Sequence, residues 1–282
     1  LEEDSRHAMP ETAEIVLMII ALAGAGAVAG LLAGLFGIGG GAILVPVFFQ
    51  VFGLMGIDDA IRMHLSVGTS LAVIVPTSLR SFASHRARGA VDMDLLRSYV
   101  IAVPAGVVIA ALVFASISSG GLRLVFAILA LLVGLKLLFG RDSWRLAADL
   151  PGRAGRLSAG IVIGFLSTLM GIGGGVLNNT FMTLNGRPIH QAVATSAGVG
   201  VLISIPGVLG AIWAGWAASD LPVMSTGYVN WIAVAIIIPV SLAAAPLGVR
   251  AAHRLNKRQL ELGFGLFMLL VSARFMVSVL AG

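Results

Sequence analysis

Cysteine is absent from the 282 residues, which excludes disulfides and thiolate metal centres. Charge is scarce: 13 Asp and Glu and 18 Lys and Arg make up 11% of the chain, far below the usual share in a water-soluble domain. No Asp or Glu falls in the middle of an apolar run, whereas proton pumps and many cation transporters need such a carboxylate. The chain also lacks a His pair or carboxylate cluster at metal-ligand spacing and a phosphate-cradling nucleotide loop. It has no Ser-His-Asp set that its topology would bring together. These absences disfavour cation transport and an enzyme, and they call for no cofactor and no metal.

What fills the chain instead is apolar. Hydrophobic residues make up 58% and mean hydropathy is +1.02, with several runs long enough to cross a bilayer as helices. Alternating ten-residue segments, the mark of an outer-membrane barrel, do not occur. The sequence therefore specifies an all-α integral membrane protein. Its formal charge of +5 sits in short loops between the runs, which fits cytoplasmic retention of basic loops rather than nucleic-acid binding.

One stretch occurs twice: Gly-Ile-Gly-Gly-Gly at Gly37–Gly41 and at Gly171–Gly175. Each copy interrupts an apolar run, where glycine weakens a helix and bares backbone polar groups. Such a break survives in lipid only when protein or a water-filled cavity covers it. Around the two breaks the chain repeats itself. A polar tail, 1–14, has no basic front of a signal peptide, and the missing initiator Met points to a trimmed or tagged front end. The first repeat, 15–140, runs through Ile15–Phe36, a shorter leg Ala42–Met55, and segments at about Met63–Ser84, Tyr99–Ile117 and Leu122–Phe139. A basic linker follows at 141–156. The second repeat, 157–282, has legs Leu157–Met170 and Val176–Leu184, then a segment ending near Trp216 and two more at about Trp231–Val249 and Leu260–Leu280. Gly68-Thr69-Ser70 answers Ala194-Thr195-Ser196, and Pro104 answers Pro239. About ten helical segments in two five-segment repeats is the simplest organisation.

Arginine clusters follow the third, fifth and ninth segments, which assigns those loops to the cytoplasm, whereas Ala217–Asn230 has no Lys or Arg and belongs outside with both termini. An odd number of segments per repeat inverts the second repeat relative to the first. The two glycine-tipped hairpins then approach mid-membrane from opposite sides. The second, with legs of about 14 and 9 residues rising 1.5 Å each, falls short of a roughly 30 Å hydrocarbon core and is expected to be re-entrant. The first is either re-entrant or nearly spanning.

At each tip a restarting helix aims its positive end inward, a setting for an anion. The candidate substrate-binding residues are therefore Gly39, Gly40, Gly41, Gly173, Gly174 and Gly175, joined by the repeated hydroxyls Thr69, Ser70, Thr195 and Ser196. For a single glycine stretch close helix packing is the competing role, and Ser or Thr in a membrane helix also bonds backbone or a neighbouring helix. Asn178 and Asn179, one turn past the second break, either contact substrate or cross-link helices, since a buried amide needs a partner. Arg62, His64, Arg80 and His190 stand near the segment ends and are candidates for gating or gathering anions. Snorkelling or headgroup contact explains them as well.

The ordered set Leu35-Phe36-Gly37-Ile38-Gly39-Gly40-Gly41 with Pro46, Gly68-Thr69-Ser70-Leu71, His85-Arg86-Ala87-Arg88-Gly89-Ala90-Val91-Asp92 and the second Gly-Ile-Gly-Gly-Gly resembles the TauE/SafE sulfite exporter family over nearly the whole chain after the tail. The resemblance implies export of sulfite, sulfoacetate or a related sulfonate across a bacterial inner membrane. The second hairpin departs from the family pattern, with Asn178-Asn179 where the first continues toward a Pro. The expected reading is a secondary transporter working by alternating access, with an anion channel or a non-transporting scaffold as alternatives. Its expected partners are a small anion and the lipid bilayer, with homodimerisation left open and nucleic acid excluded. A cysteine introduced at Ser219 should react with an impermeant reagent from outside while one at Arg153 stays protected. The reverse pattern would invert the orientation.

Overall fold

The computed structural model describes residues 12–36, 41–140, 147–252 and 254–280. Ten α-helices account for nearly all of them: α1 Thr12–Phe36, α2 Gly41–Leu54, α3 Asp59–Ala87, α4 Met93–Ser116, α5 Ser119–Phe139, α6 Arg153–Leu169, α7 Gly175–Leu184, α8 Ile189–Ala214, α9 Trp231–Ala252 and α10 Lys257–Leu280. The only strands among the described residues, β1 Ser225–Thr226 and β2 Val229–Asn230, pair antiparallel between α8 and α9. Six helices, α3, α4, α5, α8, α9 and α10, contain stretches long and apolar enough to cross a membrane. At ten residues α7 is much shorter than a span.

Helix starts are set by side chains that close orphan amides. Asp58 accepts from the Ala60 N–H and starts α3 four residues before the expected Met63. Asp92 accepts from the Leu95 N–H and starts α4 well before Tyr99. Ser118 does the same for α5 through Gly121. The segment Ala217–Asn230, read as a plain loop, folds into the β-hairpin. Its strand residue Asn230 caps α9 by accepting from the Ala233 N–H.

Packing places α3 at the centre, with 67% of its apolar window buried against 28–39% for the other five long helices. The outward faces of α4 and α10 carry Ile101, Leu112, Leu270 and Val277, all well exposed, as a lipid-facing surface requires. Each of the most extensive helix pairs joins a member of α1–α5 to a member of α6–α10. Contacts along each pair give its direction. Gly26 faces Ile237 and Val240, and Gly248 faces Leu31 and Leu35, so α1 and α9 are parallel. Gly160 faces Tyr99 and Ala102, and Gly106 faces Ile161 and Phe165, so α6 and α4 are parallel as well. Gly68 faces Ala211 while Gly200 faces Ser78, making α3 and α8 antiparallel. Arg123 meets Ser278 and Ala127 meets Ser272, making α5 and α10 antiparallel.

Two matching hydrogen bonds lock the helix starts across the chain. The Asn230 N–H donates to Thr69 Oγ1 at 3.1 Å, and the Asp92 N–H donates to Thr195 Oγ1 at 2.9 Å. In each case a fully buried threonine of α3 or α8 holds the capping residue of a helix from the other half of the chain. Thr69→Ala and Thr195→Ala should each leave a cap amide without its acceptor and lower stability by about 1–3 kcal/mol. Thermal unfolding in detergent measures this, with Thr→Ser expected to restore most of the loss.

Candidate functional site

The second glycine stretch makes a tight reversal between α6 and α7. The Ile172 N–H donates to Ser167 O and the Gly171 N–H to Thr168 O, the paired bonds that close a helix with a left-handed residue. Gly171 supplies that residue at φ +63°, and Gly174 turns left-handed again at φ +72° to start α7. Both conformations favour glycine. Gly174 brings no side-chain cap, so first-turn amides of α7 stay free to donate.

The tip is buried in protein. Ser70 Oγ donates to Gly171 O at 2.8 Å, and a Cβ on Gly41 would stand 2.9 Å from Ile172 Cα and 3.2 Å from Gly173 N. The start of α2 therefore rests directly on the tip between α6 and α7. Gly39 and Gly40 lie outside the described residues.

Beside this junction is a cavity of about 250 Å³. The second tip contributes Gly173 and Gly175, α7 contributes Asn179, and α8 contributes Ser196 and Gly200. Thr77, Ser78 and Ser81 line it from α3. The facing wall, Ala29, Gly30, Ala33, Leu242 and Ala245, comes from the α1 and α9 pair, with Ser241 as its one hydroxyl. Among the described residues, no charged one lines it.

A short polar chain orients the amide that faces this space. Asn178 Nδ2 donates to Ser196 Oγ at 2.7 Å, and Ser196 Oγ donates to Asn179 Oδ1 at 2.7 Å. With its carbonyl thus engaged, Asn179 keeps its amide N–H groups for the cavity. The site is one of neutral donors, namely helix-start amides, a carboxamide and hydroxyls. It can hold negative charge without an ion pair.

The sequence-derived candidates therefore separate. Gly173, Gly175, Asn179 and Ser196 line the cavity; Gly41, Gly174, Asn178 and Ser70 shape or support it. Thr69 and Thr195 do not reach it, because their Oγ1 atoms are taken by cap amides. His64 is not at an interface: it is buried between Phe114 and Tyr228, with Nε2 3.0 Å from Ile117 O. Burial pushes the neighbouring Tyr228 phenol up from its ordinary pKa. Arg62 is ion-paired with Asp59 and lies over the Phe49 ring, 4.4 Å from its centroid, and Arg123 shares Asp59 at 2.5 Å. Arg80 and His190 are exposed and outside the cavity. Thr77, Ser78, Ser81 and Ser241 were not singled out from sequence. For Thr77, Ser78 and Ser81 the signal was a run of hydroxyls along one side of α3, which back-bonding to the helix, as in Ser78 Oγ to Ile74 O, makes ordinary.

Comparison with known proteins finds the chain similar to membrane transporters. The chain is 32% identical over 247 residues to a probable membrane transporter protein of Haemophilus influenzae, covering 88% of this chain and 94% of the relative. It is 30% identical to one of Methanocaldococcus jannaschii, covering 91% and 97%, and 25% identical to one of Bacillus subtilis, covering 92% and 96%. No solved structure matches it. Residues 22–275 match the family described as sulfite exporter TauE/SafE, and the chain belongs to that family of multi-pass membrane transporters.

Proposed function

We propose that the protein exports a small organosulfur anion, such as sulfite or sulfoacetate, from the bacterial cytoplasm by alternating access of two inverted five-helix repeats. The observation that carries this reading is the start of α7, opening without a side-chain cap beside a cavity whose polar lining groups, among the described residues, are all neutral. An anion gains from the helix dipole and from several donors at once. It meets no fixed cation that would slow its release, since a buried ion pair broken at one partner is costly.

The matched contacts support the inverted repeat. Counting from Gly41 and Gly175, Gly26 corresponds to Gly160 and Gly30 to Gly164; counting from the caps Asn230 and Asp92, Ile237 corresponds to Tyr99, Val240 to Ala102 and Ser241 to Val103. In both halves the corresponding glycines meet the corresponding partners. Parallel α1/α9 and α6/α4 with antiparallel α3/α8 and α5/α10 is what a two-fold axis in the membrane plane produces. The family description supports the substrate class.

The cavity is lined by the C-terminal halves of α1, α3 and α9 and by the N-terminal half of α8, which by loop charge is the cytoplasmic side. A potential negative inside then drives anion efflux by roughly 2.3 kcal/mol per charge per 100 mV. In proteoliposomes, efflux of labelled sulfoacetate should rise with an inside-negative potential. Asn179→Asp, which sets a carboxylate against the substrate, should cut it at least about tenfold while leaving thermal stability within a few degrees. Undiminished efflux in a folded Asn179→Asp protein would put the anion site elsewhere, and efflux indifferent to potential would remove uniport.

A further inference from the structure

The same residue correspondence assigns each cavity-lining position a counterpart in the other half, and the counterparts of Ala33, Leu44 and Ser78 share an unusual property. Eight residues before Gly41 is Ala33, and eight before Gly175 is Ser167. Three residues after Gly41 is Leu44, and three after Gly175 is Asn178. Nine residues after Thr69 is Ser78, and nine after Thr195 is Ser204. Ser167, Asn178 and Ser204 are each 0% exposed. Ser167 Oγ, Asn178 Oδ1 and Ser204 Oγ are buried polar atoms without a hydrogen-bond partner. Leaving such atoms unpaired is costly, and each one in a folded protein calls for a reason.

Their surroundings are tightly closed. Gly174, on the tip, faces Ile163 of α6 and Val199 and Ile203 of α8, and α4 packs closely on α8, with a Cβ on Gly210 only 2.7 Å from that of Ala111. On the opposite side of the molecule, the equivalent seam between α3 and α9 is open, and it is the cavity. The tethers explain why each seam can part at one end. Thr69 ties the start of α9 to α3, so the far half of α9, with Ser241 and Ala245, is free to stand away from Ser78 and Ser81. Thr195 ties the start of α4 to α8 in the same manner, which leaves the far half of α4 the part able to swing from Ser204.

Building on the alternating-access reading, we infer that Ser167, Asn178 and Ser204 are the lining of a second, outward-facing anion site, closed in this structure, that opens between α8 and the α4/α6 pair when the cytoplasmic cavity shuts. Ser70, the counterpart of Ser196, belongs to the same site, and its hydroxyl now rests on Gly171 O. The two serine hydroxyls are donors left for water or for the oxygens of a small oxyanion, and the Asn178 carbonyl oxygen, an acceptor only, is left for water or for the O–H of a protonated oxyanion. Asn178 serves both sites: its amide N–H holds Ser196 of the cytoplasmic cavity, and its carbonyl is one of the unpaired outward atoms. The outward site thus offers hydroxyl donors of its own, with the anion arriving from the shared glycine tips.

Because the chain has no cysteine, the test uses single Ser78→Cys, Ser167→Cys and Ser204→Cys proteins in intact spheroplasts and inverted vesicles, treated with an impermeant methanethiosulfonate. Ser78→Cys should react from one side of the membrane and both Ser167→Cys and Ser204→Cys from the other. Reaction of all three from one side, or protection of both Ser167→Cys and Ser204→Cys from either side, would overturn the second site. A bifunctional thiol reagent joining Ser81→Cys to Ala245→Cys across the closed cavity should then raise the Ser204→Cys labelling rate by about fivefold or more. Opposite-side labelling that ignores this cross-link would leave the second site standing and refute the alternating-access reading. Ser204→Ala, which removes an unpaired hydroxyl from the closed state, should raise the thermal midpoint while slowing sulfoacetate efflux; a lowered midpoint would show that the hydroxyl is satisfied and overturn its assignment.

Discussion

Everything in this fold answers to the requirement that backbone polar groups inside a bilayer find partners within the protein. Regular helices meet it by themselves, but the break at Gly171–Gly175 cannot. The chain meets it there with two left-handed glycines, a closed α6 terminus, and a hydroxyl from α3 placed on the Gly171 carbonyl. The start of α2, at Gly41, is pressed against that tip. The amides that remain unused at the start of α7 are next to the cavity. The same satisfaction that stabilises the tip therefore leaves its residual polarity beside a cavity.

A second consequence is that the halves of the chain are not separate bodies. Each of the extensive helix pairs takes one member from each half, and each buried threonine holds the cap of a helix from the other half. A hydroxyl accepting a cap amide fixes one end of a helix while leaving its far end to packing alone. That asymmetry along α9 is visible: its start is bound to α3, and its far half forms the wall of the cavity. Close glycine contacts such as Gly30 on Ser241 and Gly164 on Val103 keep α1 with α9 and α6 with α4, so in the proposed cycle each pair moves as a unit against the α3 and α8 centre.

The site's neutrality sets its chemistry. In the proposed cycle, several neutral dipoles of fixed direction are to let an anion enter and leave, which suits a carrier better than a tight binding protein. The arginines follow the same logic. Arg62 and Arg123 share Asp59 and cover Phe49 away from the cavity, and Arg187 pairs with Asp149 at 2.9 Å. Charge in this protein closes helix ends, and neutral donors face the cavity.

The sequence by itself determined the membrane class, the number of helical segments and their approximate spans, because apolar run length and helix rise are local quantities. The doubled glycine stretch marked the tip residues Gly173 and Gly175, and the paired asparagines marked a buried amide that had to find partners; both line or support the cavity. Helix starts were less legible, since capping by Asp58 and Asp92 extends α3 and α4 beyond their apolar cores. What only the tertiary structure decided was the use of repeated side chains. Thr69-Ser70 and Thr195-Ser196 read as four equal hydroxyls, yet two hold distant caps, one braces the tip and one lines the cavity. A hydroxyl both donates and accepts, and its role is fixed by whichever backbone group the packing brings within 3 Å. That neighbour lies up to 161 residues away in the chain, where no local pattern can announce it.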